Sequence, residues 1–378
     1  MSRGQWAVNA EMVILDGVGT LRTSPGTIEL HGAWMSQGRR VTQRDVADRA
    51  GVSTAVVSYV INNGPRPTSS DVRERVLQAI ADLKYHPNGV ARGLRAKRTH
   101  TIAFVANDFR PLESFGSHYL ASILSAMTGA LQEHGHYLLM FPQKIGDDPR
   151  AINALLHSGR LDGIAVRLVQ DSPETDELLQ LIADSHLPCV CVERPGAERF
   201  GFASITYDDA AGAYAAVRHL IDRGHTRIAT ISGDMRYASA QARFEGYKRA
   251  MIEAGLGLDQ ELIVECEWGT ILAAQATNRF LGLKRPPTAI FAASDDMAIG
   301  AVNAARERGV RVPDGIAIVG FDDIPLTEEI TPLISTVRIP LAEMGRRVAE
   351  LLVDPDLLEE QGGVTEVFPV ELIQRSSS

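Results

Sequence analysis

From Thr101 to about Leu372 the chain alternates short, strand-like apolar runs with helix-length amphipathic stretches. The runs read TIAFVA (101–106), YLLMF (137–141), GIAVRL (163–168) and CVCVE (189–193). They continue with SIT (204–206), RIATISG (227–233), LIVECE (262–267), AIFAAS (289–294) and IAIVGF (316–321). Strands that alternate with helices of this length predict βαβ units and parallel sheets. Nine runs in two groups predict two similar, doubly wound halves, with a ligand held between them outside the carboxyl ends of the strands. Chain crossings between the halves are expected near 203–207, 321–324 and 334–339.

The segment before these runs follows a different rule. DVADRAGVSTAVVSYVINN (45–63) reads as two short helices broken by a glycine. Thr42 and Asp45 have the spacing of a capping box that opens the first helix. Gly51 ends it, since glycine enters the left-handed conformation at little cost. Ser53 suits the N-cap of the second helix. Val52, Val56, Val57, Val60 and Ile61 form an apolar stripe there. The opposite face holds Thr54, Ala55, Ser58, Tyr59 and Asn62, small or hydrogen-bonding and free of carboxylate. A third helix beginning near Ser70 buries Val72, Val76, Leu77, Ile80 and Leu83. Such a second helix, with no negative charge on its outer face, is suited to the major groove.

Charge points the same way. The whole chain of 378 residues has a formal net charge of −9. Residues 39–98 hold twelve Lys or Arg against five Asp or Glu, a surplus of +7. A basic module on an acidic body predicts a polyanionic partner for the module alone. The connector HPNGVARGLRAKRT (86–99) continues the basic stretch. No apolar run reaches the roughly 18 residues that a membrane helix needs. The N-terminus lacks the basic start and apolar core of a signal peptide. A cytoplasmic, nucleoid-associated location with no membrane partner is therefore expected. Three cysteines do not make a disulfide framework. Cys189 and Cys191 read as small buried hydrophobes, with no His or further Cys to complete a metal set. No cofactor or metal is expected.

Taken in order, VTQRDVADRAGVS, VSYVIN, YHPNGVARGL, HLIDRGHTRIATISG, ARFEGYKRAM, SDDMAIGAVNAARERGVRVPDGIAIVGFDD and TPLISTV give the chain a specific resemblance. It resembles the lactose-repressor (LacI/GalR) family of bacterial transcription regulators from about Val41 to its C-terminus. The resemblance implies a small all-α helix-turn-helix DNA-binding domain plus an α/β two-lobed, periplasmic-binding-protein-like (type I) effector domain. It implies a homodimer on double-stranded operator DNA. The function it implies is a sequence-specific regulator, a repressor, controlled by a small-molecule effector.

By position, Thr54, Ala55 and Tyr59 match base-reading residues, and Ser53 and Ser58 match phosphate contacts. Thr42, Asn62 and Asn88 support them, and Leu94 matches the hinge leucine that wedges between base steps. For the effector, Arg243 matches the family's ligand-binding arginine and Asp295 its ligand-binding aspartate. Tyr207, Trp268 and Tyr119 are aromatic candidates. The family takes sugars most often, and also nucleobases and other small metabolites. An arginine, an aspartate and an aromatic together favour a sugar or sugar derivative.

The expected division is a disordered or wrongly started extension at 1–40, the helix-turn-helix domain at 41–85, a hinge helix at 86–99 and the effector domain at 100–375. Within the last, one lobe is expected to take about 100–204 and 323–337, and the other 205–322 and 338–375. Two rival readings are weaker. MVILDGVGTL (12–21) resembles the start of a haloacid-dehalogenase phosphatase, but Val18 stands where that chemistry needs its second carboxylate. A transport-type sugar-binding protein shares the cleft but leaves the basic module without a role.

Overall fold

All nine apolar runs form strands. A computed structural model describes residues 21–23, 26–28, 41–61, 68–85, 98–106, 118–143, 148–170, 172–194 and 196–378. The chain divides into two units, Met1–Arg92 and Gly93–Ser378.

The first unit contains two short antiparallel strands, β1 (Leu21–Thr23) and β2 (Gly26–Ile28). They fall inside the extension expected to lack structure. Three-residue pairing needs little periodic sequence, and such a ribbon is marginal alone. Three helices follow: α1 (Gln43–Ala50), α2 (Thr54–Ile61) and α3 (Ser70–Asp82). Val46, Ala47, Ala50, Val57, Val60, Val76, Ala79 and Tyr85 form their core. Leu77, expected inside, is 49% exposed, and Ala79 takes the inward position instead. The α3 stripe thus runs Val76, Ala79, Ile80 and Leu83, a narrower face that fits two short neighbours.

The second unit carries a parallel sheet of six strands in the order β13-β7-β6-β5-β3-β4. These are β3 (Thr101–Ala106), β4 (Tyr137–Pro142), β5 (Gly163–Arg167), β6 (Cys189–Val192), β7 (Ala203–Tyr207) and β13 (Thr365–Phe368). A second parallel sheet has the order β11-β10-β8-β9, from β8 (Ile228–Ser232), β9 (Ile263–Glu265), β10 (Ala289–Ala292) and β11 (Ala317–Val319). β12 (Thr336–Arg338) and β14 (Glu371–Ile373) pair antiparallel. β3, β5, β6 and β7 are buried along almost their whole length, as strands covered by helices on both faces must be. Cys189 and Cys191 lie buried in β6 among Ile164, Val166 and Ile182.

The lobes share the C-terminal third differently from the sequence reading. β7 belongs wholly to the first sheet, so the chain crosses after Tyr207 and not before Ile205. Residues 323–337 stay with the second sheet, where Ser335 bridges Val319 and Arg338 bridges Asp322. Residues 341–368 return to the first: β13 pairs with β7, and the helix before it packs on the first lobe. The reason lies in that helix. Leu341, Met344, Val348 and Leu352 of Leu341–Val353 form a buried stripe. The stripe packs into one core with Ile123, Met127 and Leu131 of His118–Glu133.

Gly345 lies at a close approach of this pairing. A Cβ there would lie 2.4 Å from the Ile123 carbonyl oxygen, a backbone atom that cannot swing aside. Gly345→Ala is therefore expected to destabilise the second unit by about 1–3 kcal/mol through overpacking. Gly129, in the partner helix, has nothing within 4 Å of such a Cβ. Gly129→Ala should be neutral or stabilising by up to about 1 kcal/mol, as helix propensity dictates. Thermal unfolding of the two variants checks both signs.

Candidate functional site

The helix-turn-helix is set by its caps. Thr42 Oγ1 accepts from the Asp45 amide at 3.3 Å, and the Thr42 amide donates to Asp45 Oδ2 at 2.7 Å. The expected capping box is present. Gly51 ends α1 at φ 63°, its amide reaching the Ala47 and Asp48 carbonyls. The Ser53 hydroxyl accepts from the Val56 amide at 3.4 Å and opens α2. Gln43 Nε2 donates to the Thr54 carbonyl at 3.2 Å, tying the start of α1 to the start of α2. Arg49 and Asp82 link α1 to α3 at 3.2 Å, an exposed pair that contributes little.

With Val57 and Val60 inward, Thr54 and Ala55 are exposed, and Ser58 and Tyr59 are half-buried on the outer side. α2 carries no charged residue at all. The structure thus brings Ser53, Thr54, Ala55, Ser58 and Tyr59 onto one helix. Asn62, Asn88 and Leu94 lie outside the described residues.

The second site lies at the carboxyl ends of the strands. Arg167 ends β5, Glu193 follows β6, Tyr207 ends β7, and Asp322 follows β11. Arg243 projects from the helix Ala238–Glu253 and is 3% exposed. Its Nε donates to Asp209 Oδ1 at 2.6 Å, its Nη1 to Asp322 Oδ1 at 3.2 Å and to the Ala293 carbonyl, and its Nη2 to the Tyr207 hydroxyl at 3.0 Å. The guanidinium lies 3.8 Å from the centre of the Phe321 ring and 5.8 Å from that of Trp268. Gly233 follows β8, and a Cβ there would come within 2.3 Å of the Trp268 ring. The indole lies against bare backbone because residue 233 has no side chain.

From Tyr207 the network enters the first lobe. The Tyr119 and Tyr207 hydroxyl oxygens are 3.2 Å apart, and Tyr119 donates to Glu193. With the Tyr119 proton given to Glu193, the Tyr207 proton must point at Tyr119. Burial pushes both phenols well above their usual range, so both keep their protons. Arg167 closes the chain with Nη2 on Glu193 Oε2 at 2.8 Å and Nε on Oε1 at 3.1 Å. One polarised run of hydrogen bonds thus passes from Arg243 in one lobe to Glu193 and Arg167 in the other. A cavity of about 340 Å³ opens beside it, bordered by Glu193, Tyr207, Asp209, Ala242 and Val367.

The structure gathers Arg243, Tyr207, Tyr119 and Trp268 as expected together, but it gives Asp295 another task. Asp295 is fully buried. Its Oδ1 accepts from Thr336 Oγ1 at 2.6 Å and its Oδ2 from the Ile324 amide at 2.9 Å. Its own amide donates to the Phe321 carbonyl at 2.7 Å. Oδ2 braces the loop after β11 and Oδ1 holds the start of β12, and the carboxylate that faces Arg243 from that loop is Asp322. Asp322 sits at φ 119° and Asp323 at φ 60°, left-handed conformations that non-glycine residues hold at a cost of roughly 1–3 kcal/mol. Asp209, Asp322, Glu193 and Arg167 were not singled out from sequence. The available signal was position, since each lies at or just beyond a strand's carboxyl end. Arg194, just beyond Glu193, pairs with Asp176 at 3.2 Å and donates to the Gln170 carbonyl.

Two comparisons meet this geometry. The model of bacterial regulatory proteins, lacI family, matches residues 42–88, and that of the periplasmic binding protein-like domain matches 217–378. The HTH-type transcriptional repressor PurR of Serratia proteamaculans (strain 568) is 35% identical over 340 residues, 89% of this chain and 96% of its own. The chain belongs to the lacI family of bacterial regulatory proteins. It is a DNA-binding transcriptional repressor of that family. A solved complex of the transcriptional regulator CelR with cellobiose is 31% identical, with a TM-score of 0.67 over 90% of this chain and all of that one. The lac repressor dimer bound to operator and the anti-inducer ONPF is 26% identical, with a TM-score of 0.77 over 90% of this chain and 99% of that one. Among the described residues no helix is long and apolar enough to cross a membrane.

Charge at the Arg243 cluster generates a pH prediction. Burial pushes Asp209 up to about 6 against the pull of Arg243, and Asp322 up to about 7 for the same reason. One guanidinium faces two largely buried carboxylates. A carboxyl whose folded pKa is raised stabilises the fold below its unfolded value, and that contribution is lost as pH rises through the folded value. These two groups thus destabilise progressively from about pH 4 to about pH 7. Burial lowers His136, His219 and His225, which act in the opposite sense, so the difference between proteins is the readout. Asp322→Asn is expected to gain thermal stability relative to the parent as pH rises from 5 to 8, with the two curves converging near pH 4.

Proposed function

We propose that this regulator takes a neutral, polyhydroxylated effector between its lobes and reads its operator with α2. The observation that carries the reading is the hydrogen-bonded run from Arg243 through Tyr207 and Tyr119 to Glu193, which crosses between lobes at the strands' carboxyl ends. Hydroxyl groups both donate and accept, so a sugar matches a surface that offers carboxylates, phenols and a guanidinium together. Trp268, half-buried beside Arg243, supplies the flat apolar face that a pyranose ring packs against. Asp209, Asp322 and Glu193 outnumber the cations Arg243 and Arg167 at this site. That surplus disfavours an anionic sugar phosphate, because a second anion would meet carboxylates already short of counter-charge. The solved CelR complex, whose partner is cellobiose, supports the carbohydrate reading by likeness.

On the DNA side, Thr54, Ala55 and Tyr59 face bases, Ser53 and Ser58 face phosphates, and Thr42 holds the start of α1. Two copies of the module meet a near-palindromic site as a homodimer. Leu94, with Asn88 in the same connector, belongs to the hinge that enters the minor groove. Effector and operator communicate because the effector binds the two lobe arrangements with different affinity. A ligand hydroxyl placed between Tyr207 and Arg243 replaces a bond that spans the lobes, so ligand occupancy biases how they sit.

The test is calorimetry with a panel of neutral mono- and disaccharides, their phosphates and free nucleobases, followed by gel shifts on the DNA upstream of its own gene. A neutral saccharide is expected to bind and to change operator affinity. Trp268→Ala should weaken that binding at least roughly tenfold, the scale of one lost aromatic contact. Its operator affinity without saccharide should stay unchanged. Binding of a nucleobase alone, or of a sugar phosphate more tightly than its neutral parent, contradicts the effector class.

A further inference from the structure

At the opposite ends of the strands from the effector cleft lies a second convergence of polar side chains. His100 precedes β3, His136 precedes β4 and Asp162 precedes β5. β3 lies between β4 and β5, with Thr101 opposite Tyr137 and Ile102 opposite Gly163. The parallel register therefore sets the residue before each strand side by side, although the three are far apart in sequence. Their ligand-type atoms all lie within 4.8 Å of one another.

Each group is prepared in a specific way. His136 is 6% exposed, and its Nδ1 lies 3.0 Å from the His134 carbonyl oxygen. That carbonyl only accepts, so Nδ1 carries the proton and Nε2 keeps a lone pair. Nε2 points at Asp162 Oδ2 from 3.8 Å, too far for a hydrogen bond. A histidine whose second nitrogen donates to a backbone carbonyl is the usual outer support of a metal ligand. His100 Nδ1 is buried and has no hydrogen-bond partner, a state that costs free energy unless something fills it. The His100 backbone is held at φ 54°, and its ring centre lies 5.1 Å from that of His136. Asp162 takes the Thr99 amide at 2.6 Å, the Thr99 hydroxyl at 2.8 Å and the His100 amide at 2.8 Å. These donors orient the carboxylate.

We infer that His100, His136 and Asp162 form a binding site for a divalent transition-metal ion, zinc by preference. Two imidazole nitrogens and one carboxylate oxygen are the ligand types zinc takes, with a water completing four-coordination. Tetrahedral zinc at about 2.0–2.1 Å from each ligand sets them roughly 3.3 Å apart. The present separations of at most 4.8 Å leave that spacing to be closed by side-chain rotation. The ion fills the empty partner position of His100 Nδ1. It also fixes residues 99–101, at the end of the basic connector.

The test uses the full chain without a histidine tag, stripped with a chelator and dialysed against micromolar Zn²⁺ or Co²⁺. The expected result is one bound ion per chain by elemental analysis, with visible Co²⁺ absorption from a low-coordinate nitrogen and oxygen site. His100→Ala and His136→Gln should each weaken Zn²⁺ binding roughly tenfold to a hundredfold or more, in competition with a chromophoric chelator. His134→Ala, an exposed neighbour that offers only its backbone carbonyl, should bind as the parent does. Circular dichroism melts confirm that each variant is folded. If His136→Gln unfolds, the half-exposed His100→Ala decides. No stoichiometric ion in the parent, or equal affinity in folded His100→Ala, overturns the assignment. Loss of binding in His134→Ala also overturns it, since it would place the ion on a surface histidine.

Discussion

One buried guanidinium holds the cleft together. Arg243 directs four of its N–H donors at Asp209, Asp322, the Ala293 carbonyl and Tyr207, and lays its face against Phe321. Those partners come from both lobes and from three separate strand ends. A charge this deep is tolerable only when paired and hydrogen-bonded. The loops after β7, β10 and β11 must therefore keep their places for the arginine to stay satisfied. Asp295 acts one layer further out, bracing the loop that carries Asp322. The imbalance of two carboxylates for one arginine makes the site responsive: anything that adds donors there relieves a standing repulsion.

The path of the chain makes that response mechanical. It crosses between the lobes after Tyr207, again between Arg338 and Leu341, and again between Phe368 and Glu371. Three crossings close together let the lobes turn against each other without unfolding either. The strand ends of both lobes then move relative to one another at the place where the hydrogen-bonded run from Arg243 to Glu193 lies.

Much of this was legible in the residues. Many of the apolar runs mark strands because parallel strands covered on both faces, as β3, β5, β6 and β7 are, are apolar throughout. The capping box at Thr42 and Asp45, the glycine at 51 and the serine at 53 are local chemistry, and local chemistry survives in any tertiary setting. The late exchange between lobes was not legible. β13, TEVF, is an edge strand with Val367 55% exposed, and it carries no apolar run to announce it. The sharing of 323–338 and 341–368 depends on which partner covers a helix stripe, which no window of sequence contains. For the site, Arg243 was singled out by its position in a motif and Tyr207, Tyr119 and Trp268 by residue type and place, and the structure sets them near one another. Asp295 and Asp322 both follow strands in aspartate pairs, and only the loop geometry decides which one faces Arg243. His100, His136 and Asp162 have no common spacing, because the register of three strands brings them together.

On the proposed function, effector occupancy at Arg243 and Trp268 is linked to operator binding by α2. The chain has three tryptophans, at 6, 34 and 268. With Trp6 and Trp34 replaced by Phe, Trp268 emission reports the cleft alone. Effector titrations with and without saturating operator then give two affinities, and gel shifts with and without saturating effector give two more. Trp268 emission is expected to follow the titration, and the two ratios to be equal, as reciprocal linkage requires. An effector that changes operator affinity while Trp268 emission stays constant would contradict this linkage.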